Sequence, residues 1–486
     1  MNTVPTDTAP EELDAALTRA SGAAPLLAGL APSERADLLE AVAAALDAAA
    51  EELVPLAMEE AHYPEARCRG ELGRTTFQLR EFAGLLRDGS YLEVAVDPAD
   101  PEWGTPRPDT RRVLVPLGPV VVFGASNFPF AFATAGGDTA SALAAGCPVV
   151  VKAHPGHPKL AQRTAEIVVA ALTEAGAPEG AFGIVHGVEA GRQAVLHPLT
   201  RAVGFTGSIP GGRALFDLAN SRPDPIPFYG ELGSVNPVFV TRAAMAARGE
   251  EVLKGYADSA NMGAGQFCTK PGVVFLPEDT KLDALVTDFT ERGAASLLND
   301  RVSQGFDRVL GGLVDHPATE VLVRGSRTDD GWSPSLLRTD LDALLENADI
   351  LLEECFGPAT LVVTYADERR LLEASGVLKG QLTVTVHGEE DDAVAPALLA
   401  LGASVAGRVI WNGWPTGVAV THAMTHGGPY PATTAPLHTS VGTTAIRRFL
   451  RPVTYQSVPQ ALLPAALRDD NPLGVPRRVN GAHPSV

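Results

Sequence analysis

The stretch VVVFGASNFPFAFATAGGDTASALAAGCPVVVKAHP, residues 120–155, decides the fold. Val120 to Phe123 is a short apolar run without a polar interruption, the pattern of a strand buried on both faces. An alanine-rich stretch from about Thr134 to Ala145 reads as a helix, and Gly146 ends it. Val149 to Val151 repeats the apolar run. Beyond it, a helix is expected from about Leu160 to Ala175, stopped by Gly176 and Pro178, with further strands at Ile184-Val185 and Ala202 to Phe205. Strands alternating with helices imply an α/β fold with a parallel sheet covered on both faces. Such sheets hold ligands beyond the carboxyl ends of their strands. Those ends fall at Gly124 to Phe128, Lys152 to His157 and Thr206 to Gly212.

On the N-terminal side, Leu38, Leu39, Val42 and Leu46 recur at helical spacing. They predict a helix over 33–60 with Ser33 as its N-cap. A second helix is expected over 71–87. Prolines 98, 101, 106, 108, 116 and 119 exclude a regular helix between 97 and 119, where Val113 to Val115 reads as an edge strand. This segment is expected to leave the first domain and reach another subunit. After Glu231 a second α/β unit is expected, carrying GAGQFCTKPG, EECFGPATLVV and RVIWNGWPTG; the tail after Pro452 is proline-rich and reads as extended.

At about 150 residues per domain, a chain of 486 residues has room for two to four domains. Its net charge of −20 argues against a nucleic-acid backbone or an anionic membrane surface as partner. The four cysteines, Cys68, Cys147, Cys268 and Cys355, are dispersed. They form neither a disulfide framework nor a metal-finger spacing, so no metal is expected and a reducing compartment is. With no apolar signal core and no run near the roughly 18 residues that span a bilayer, a cytoplasmic protein is expected.

Gly263-Ala264-Gly265-Gln266-Phe267-Cys268-Thr269 carries the most chemistry. Glycines beside a cysteine let the backbone turn sharply and present an N–H near the sulfur, as a thiolate attacking a carbonyl requires. Taken alone, a cysteine in such a loop is more often structural. Six segments in order change that reading: GASNFPF, VVVKAHPGHP, GFTGS with Gly212, ELGSVNP, GQFC and EECFGP. From about residue 30 to residue 460 the chain resembles the aldehyde dehydrogenase superfamily.

The resemblance implies a Rossmann-like cofactor domain (1–92 and 117–230), an α/β catalytic domain (231–450) and bridging segments for oligomerisation (93–116 and 451–486). It implies Cys268 as nucleophile, Asn127 as oxyanion donor and Glu231 as the base that hydrolyses a thioester. Lys152, Ser208, Gly212 and Glu354 match positions that hold the cofactor. Three departures stand out. Ser126 replaces an aromatic residue before the asparagine, Ser234-Val235 replaces Gly-Lys, and Pro155 stands where NAD-preferring relatives have a ribose-binding glutamate. With no carboxylate there, and with His154 and His157 close by, NADP is the expected cofactor and NAD remains open. The other reading of the two histidines is that they lie on the surface.

The segments NGWPTGVAVTHAMTHGGPYPAT and RFLRPVTYQ resemble one branch of the superfamily. That branch contains bacterial α-ketoglutaric semialdehyde (2,5-dioxopentanoate) dehydrogenases and NADP-linked fatty aldehyde dehydrogenases. It implies a homo-oligomer, dimer or tetramer, oxidising 2,5-dioxopentanoate to 2-oxoglutarate, with a fatty aldehyde as the alternative. Counting back from Phe82-Ala83-Gly84 sets Arg74 on the tunnel-lining helix, where it would take the distal carboxylate; otherwise it pairs with Glu71 or another local acid. An acylating enzyme would not need Glu231. A non-catalytic relative would be expected to lack Cys268, Glu231 or Asn127. Replacing Cys268 with alanine is expected to abolish turnover while cofactor binding, followed by fluorescence titration, persists; activity within tenfold of wild type would overturn the thioester mechanism.

Overall fold

The computed structural model describes residues 5–482. Its first half is built on a five-stranded, all-parallel sheet in the spatial order 182–185, 149–152, 120–123, 202–206, 228–231. The chain enters at the central strand Val120–Phe123, builds outward on one side, then returns to build on the other. The strand order therefore reverses between Phe123 and Phe205, opening a crevice at their carboxyl ends. Helices Pro158–Glu174 and Pro32–Ala48 pack against each other on one face; helix Glu65–Asp88 lies across the latter.

A second sheet of seven strands runs 320–323, 335–340, 359–365, 273–277, 238–240, 381–387, 406–411. Only its first pair is antiparallel. Glu231 is the last residue of the first sheet and Val238 the first of an inner strand of the second, beside its central strand, so residues 232–237 join the sheets. The carboxyl ends of the first sheet face the amino ends of strands Val273–Pro277 and Ala359–Tyr365, where the loops containing Cys268 and Glu354 lie.

Several local expectations are corrected. The N-cap of the second helix is Ala31, not Ser33. Pro32 takes the first helical position, where its missing N–H costs nothing, and the Glu34 carboxylate accepts the Ala31 N–H at 2.6 Å. The helix expected over 33–60 is two, Pro32–Ala48 and Ala50–Ala61, broken at Ala49. The helix expected from Thr134 starts at Gly137. Val113 to Val115 belongs to strand Thr110–Pro116, which is not an edge. Leu450–Gln456 pairs along one side of it and Val94–Asp97 along the other, with Arg477–Val479 completing a four-stranded sheet. The proline-rich tail is thus tied into a sheet through its non-proline N–H groups.

One buried ion pair fastens the segment before this sheet to the first domain. Arg448 Nη2 lies 2.7 Å from Asp138 Oδ1, with both side chains below a tenth exposed. Removing one partner of such a pair leaves an uncompensated buried charge, at a cost of about 3–5 kcal/mol. Arg448→Ala is therefore expected to lower the thermal unfolding midpoint clearly, measured by calorimetry. An unchanged midpoint would mean that water reaches Asp138.

Candidate active site

Three consecutive residues before Cys268 take left-handed backbone conformations, Gly263 (φ 58°), Ala264 (φ 56°) and Gly265 (φ 67°). Glycine is required at 265 for contact as well as for φ: a β-carbon there would lie 2.1 Å from Gly357 O. The Cys268 loop and the Glu353–Pro358 loop are thus in backbone contact. Lys270 laces them further, its Nζ donating to Cys355 O, to Gly357 O at 3.0 Å and to Ala359 O at 2.8 Å. Asn236 is fully buried, and its Nδ2 donates to Cys268 O at 2.8 Å and Lys270 O at 2.9 Å. The Ser234 hydroxyl and the Val235 and Asn236 N–H groups all meet Gln381 Oε1 at 2.9–3.1 Å. That network accounts for the serine at 234, whose short hydroxyl reaches the second sheet.

Cys268, half-buried, faces a residue that the sequence reading left without a role. Cys268 Sγ lies 3.6 Å from His426 Nε2, and His426 Nδ1 lies 3.3 Å from Glu231 Oε2. The Ser440 hydroxyl donates to the same carboxylate oxygen, while Glu231 Oε1 is buried with no partner. Burial pushes the Glu231 carboxyl up to about 7, with the Asp138 charge adding to the rise and the Ser440 hydrogen bond, Arg448 and Arg74 opposing it. Burial drives His426 down to about 3, helped by the nearby charges of Arg408 and Arg74, so the imidazole is neutral. A neutral ring accepts at one nitrogen and donates at the other. It can take the thiol proton at Nε2 while donating from Nδ1 to Glu231. Burial and the Glu231 and Glu354 charges raise the Cys268 thiol well above its usual range, against Arg74 and Arg408. Ligating atoms of Glu231, Cys268 and His426 lie within 4.8 Å of one another. The imidazole nonetheless stands between the other two, each on its own nitrogen, which makes a hydrogen-bonded chain and not a cage.

Asn127 is buried beside this chain, its Nδ2 donating to Gln266 O at 3.1 Å, one residue before Phe267-Cys268. Its backbone carbonyl is held by Arg67 Nη2 at 3.0 Å and Tyr63 Oη at 3.2 Å. Arg67 stacks over the Tyr63 ring at 3.4 Å. Neither residue was marked by a motif, because the contacts cross from the start of helix Glu65–Asp88 and the turn before it to a loop about 60 residues away.

The remaining expected residues spread along the crevice. Lys152 ends strand 149–152 and His154 follows it, and burial depresses both, with the Arg301 charge contributing at each. His154 Nδ1 accepts the Gly156 N–H at 3.0 Å. His157 is fully buried, with Nε2 2.9 Å from Ala125 O, so the surface reading fails for it. Both histidines are held neutral and supply no positive charge for a 2′-phosphate. Ser208 caps helix Ile209–Asn220, accepting the Gly211 N–H at 3.3 Å. A β-carbon at Gly212 would strike Leu232 at 2.1 Å, and one at Gly233 would strike the Glu354 carboxylate at 2.4 Å. Arg74 does not pair with Glu71, whose Oε1 takes the N–H groups of Phe130 and Ala131. Instead its Nη1 donates to Val418 O at 2.6 Å, and its Nε and Nη2 are buried without partners.

The model of the aldehyde dehydrogenase family matches residues 1–430. The chain is 45% identical over 456 residues to an alpha-ketoglutaric semialdehyde dehydrogenase of Acinetobacter baylyi, covering 92% of this chain and 87% of that one. It is 44% identical over 457 residues to alpha-ketoglutaric semialdehyde dehydrogenase 2 of Azospirillum brasilense, with the same coverage. Among solved structures, aldehyde dehydrogenase 21 of Physcomitrella patens, in complex with succinate, superposes with a TM-score of 0.77 at 22% identity, covering 93% of this chain and 92% of that one. Glyceraldehyde-3-phosphate dehydrogenase GapN of Methanocaldococcus jannaschii, complexed with NADP, gives 0.78 at 19% identity over 93% and 95%. At those identities the likeness is one of fold.

A carboxyl group raised to about 7 accepts a proton only once it is ionised. Hydrolysis of an acyl group on Cys268 should therefore fall about tenfold per pH unit below 7 and level off above it, read by rapid-quench single turnovers. Glu231→Gln should remove the inflection and leave a burst of one reduced cofactor per site. An inflection that survives the substitution would assign the base elsewhere.

Proposed function

The chain belongs to the aldehyde dehydrogenase family, and from that premise we propose that it oxidises 2,5-dioxopentanoate to 2-oxoglutarate, with NADP as the preferred cofactor. It is an NAD(P)-dependent aldehyde dehydrogenase. The observation that carries the substrate reading is Arg74, whose Nε and Nη2 are buried and unpartnered near the catalytic cysteine. A long apolar aldehyde would leave those donors unsatisfied, at a cost of about 1–3 kcal/mol or more. A carboxylate satisfies both. The names of the two relatives above 40% identity point the same way.

In the proposed sequence, Cys268 Sγ bonds to the aldehyde carbon as its proton passes to His426 Nε2. The resulting imidazolium is stabilised by the ionised Glu231, 3.3 Å from Nδ1. Asn127 Nδ2 turns from Gln266 O toward the new oxyanion, which the Cys268 N–H also faces. A cofactor held in the crevice would supply the acceptor for the hydride that leaves the substrate carbon. Lys152 would hold its adenosine ribose, the N-terminus of the Ser208-capped helix with close-packed Gly212 its pyrophosphate, and Glu354 its nicotinamide ribose. His154 lines the adenosine end through its free Nε2. Glu231 Oε1, the oxygen without a partner, then takes a proton from the water that cleaves the thioester. The preference for NADP is supported by exposed Pro155, which places no carboxylate against a 2′-phosphate, and by the charges of Lys152 and Arg301.

The proposed domain division is residues 1–92 and 117–230 around the cofactor crevice, 231–450 around Cys268, and 93–116 with 451–486 as the bridging arm, of which 1–4 and 483–486 lie outside the described residues; the separate sheets support it. Edge strand Ala406–Trp411, with Val409 and Trp411 over a third exposed, supports a homo-oligomer. Among the described residues no helix is long and apolar enough to cross a membrane. Four free cysteines fit a reducing, cytoplasmic setting.

The deciding measurement is kcat/KM for 2,5-dioxopentanoate, succinic semialdehyde and hexanal, each with NAD and NADP. The first substrate with NADP should rank highest. Arg74→Ala should then lose about 10- to 150-fold for the acid substrate and little for hexanal, the span of one charge-assisted hydrogen bond. A higher kcat/KM for hexanal would reinstate the fatty-aldehyde reading; a strong preference for NAD would remove the argument from Pro155.

A further inference from the structure

The segment Arg408–Val418, whose Val418 O holds Arg74, carries a second arginine into the same region. Arg408 lies on edge strand Ala406–Trp411. Its Nη1 donates to Gly417 O at 3.0 Å and its Nη2 to Pro415 O. Arg74, from a helix in the other half of the chain, donates to Val418 O. Two guanidinium groups therefore hold successive carbonyls, 417 and 418, of one short loop. The loop has other anchors. Thr416 Oγ1 meets Ser259 Oγ at 2.5 Å, and Trp414 packs against His387 at 4.5 Å between ring centroids. Val418 is buried in a cluster with Ala131, Phe132 and Val441. The charges of both arginines reach Cys268 and His426.

The two side chains divide their donors differently. Arg408 spends both terminal nitrogens on the loop. Arg74 spends only Nη1, leaving Nε and Nη2 buried and unpartnered. Those two N–H groups point the same way from one edge of the guanidinium, the edge that matches both oxygens of a carboxylate. Where that edge points depends on where Val418 O sits, and Val418 O follows the loop that Arg408 grips. An arginine is suited to this grip because its planar fork reaches two carbonyls at once; lysine offers a point charge.

We propose that Arg408 is a specificity-determining positioning residue: it fastens loop 415–418 so that Val418 O turns the free edge of Arg74 toward the distal carboxylate of the substrate. The proposal rests on the acidic-aldehyde reading above and adds the residue that aims the contact.

The test compares full-length wild type with Arg408→Ala, Arg408→Lys, Arg74→Ala and the double alanine variant on 2,5-dioxopentanoate and hexanal. Arg408→Ala should raise KM for the acid substrate about tenfold, with kcat within about twofold and hexanal unaffected, as loss of one oriented ionic contact predicts. Because Arg408 acts through Arg74, the double variant should lose no more than Arg74→Ala alone. Arg408→Lys should resemble alanine, since it keeps the charge and loses the two-carbonyl grip. Competitive inhibition by glutarate gives a second readout on the same proteins, and should weaken in parallel with KM. Rescue by lysine, additive losses, or equal losses for hexanal would each overturn the proposal. A wild-type enzyme indifferent to the carboxylate would overturn the substrate reading and the proposal with it. A wild type that selects the acid while the Arg408 variants keep that selectivity would overturn the proposal alone.

Discussion

Glu231 ends one sheet and Cys268 lies in a loop that leads into the other, and their relative placement depends on one buried amide. Asn236 sits on the six-residue connection between the sheets and donates to the carbonyls of Cys268 and Lys270. Its own N–H and those around it are fixed on Gln381, in the second sheet. The strand that ends in Glu231 and the loop that carries Cys268 are thus referenced to the same few atoms. A buried amide can hold this position only if its hydrogen bonds are satisfied, because an orphaned polar group in such a dry place costs about 1–3 kcal/mol. The left-handed backbone of Asn236 (φ 50°) is the local strain that this satisfaction offsets.

Around that anchor the site is dry, and dryness governs its charges. Burial moves Glu231 and Glu354 up to about 7 and His426 down to about 3, so each group is held toward its neutral form. Arginine resists this neutralisation, since its guanidinium stays protonated even when burial lowers its proton affinity. Arg74 and Arg408 are therefore permanent positive charges next to a nearly neutral cluster of Glu231, His426 and Cys268. Such a field favours an anionic substrate. The same two charges add to the effect of burial in depressing His426.

How much of this was legible beforehand divides along physical lines. The strand–helix rhythm from Val120 to Phe205 and the loops after each strand were readable, because buried parallel strands are written as uninterrupted apolar runs. Cys268, Asn127, Glu231, Lys152, Ser208, Gly212 and Glu354 were readable as motif positions, and the structure arranges all seven around the crevice and the cysteine loop. Misreadings were local. Ser33 looked like a cap because serine suits that role, but proline at the preceding position claimed the helix start. Val113 to Val115 looked like an edge because prolines flank it, and its two partners lie nearby at 94–97 and far away at 450–456.

Residues adjacent in the chain encode the class of fold, the order of its elements and the motif positions of Cys268 and Glu231. Only the tertiary structure decided that His426 joins Cys268 to Glu231, that Asn127 is braced by Tyr63 and Arg67, that Arg74 keeps two donors free, and that Arg408 grips the same loop as Arg74. Apart from the grip of Arg408 on its own loop, these contacts join residues from about 60 to more than 300 positions apart. No periodicity or spacing marks such a pair. It exists only because packing two sheets end to end excludes water between them and obliges each buried polar atom there to find its partner, or to wait for one.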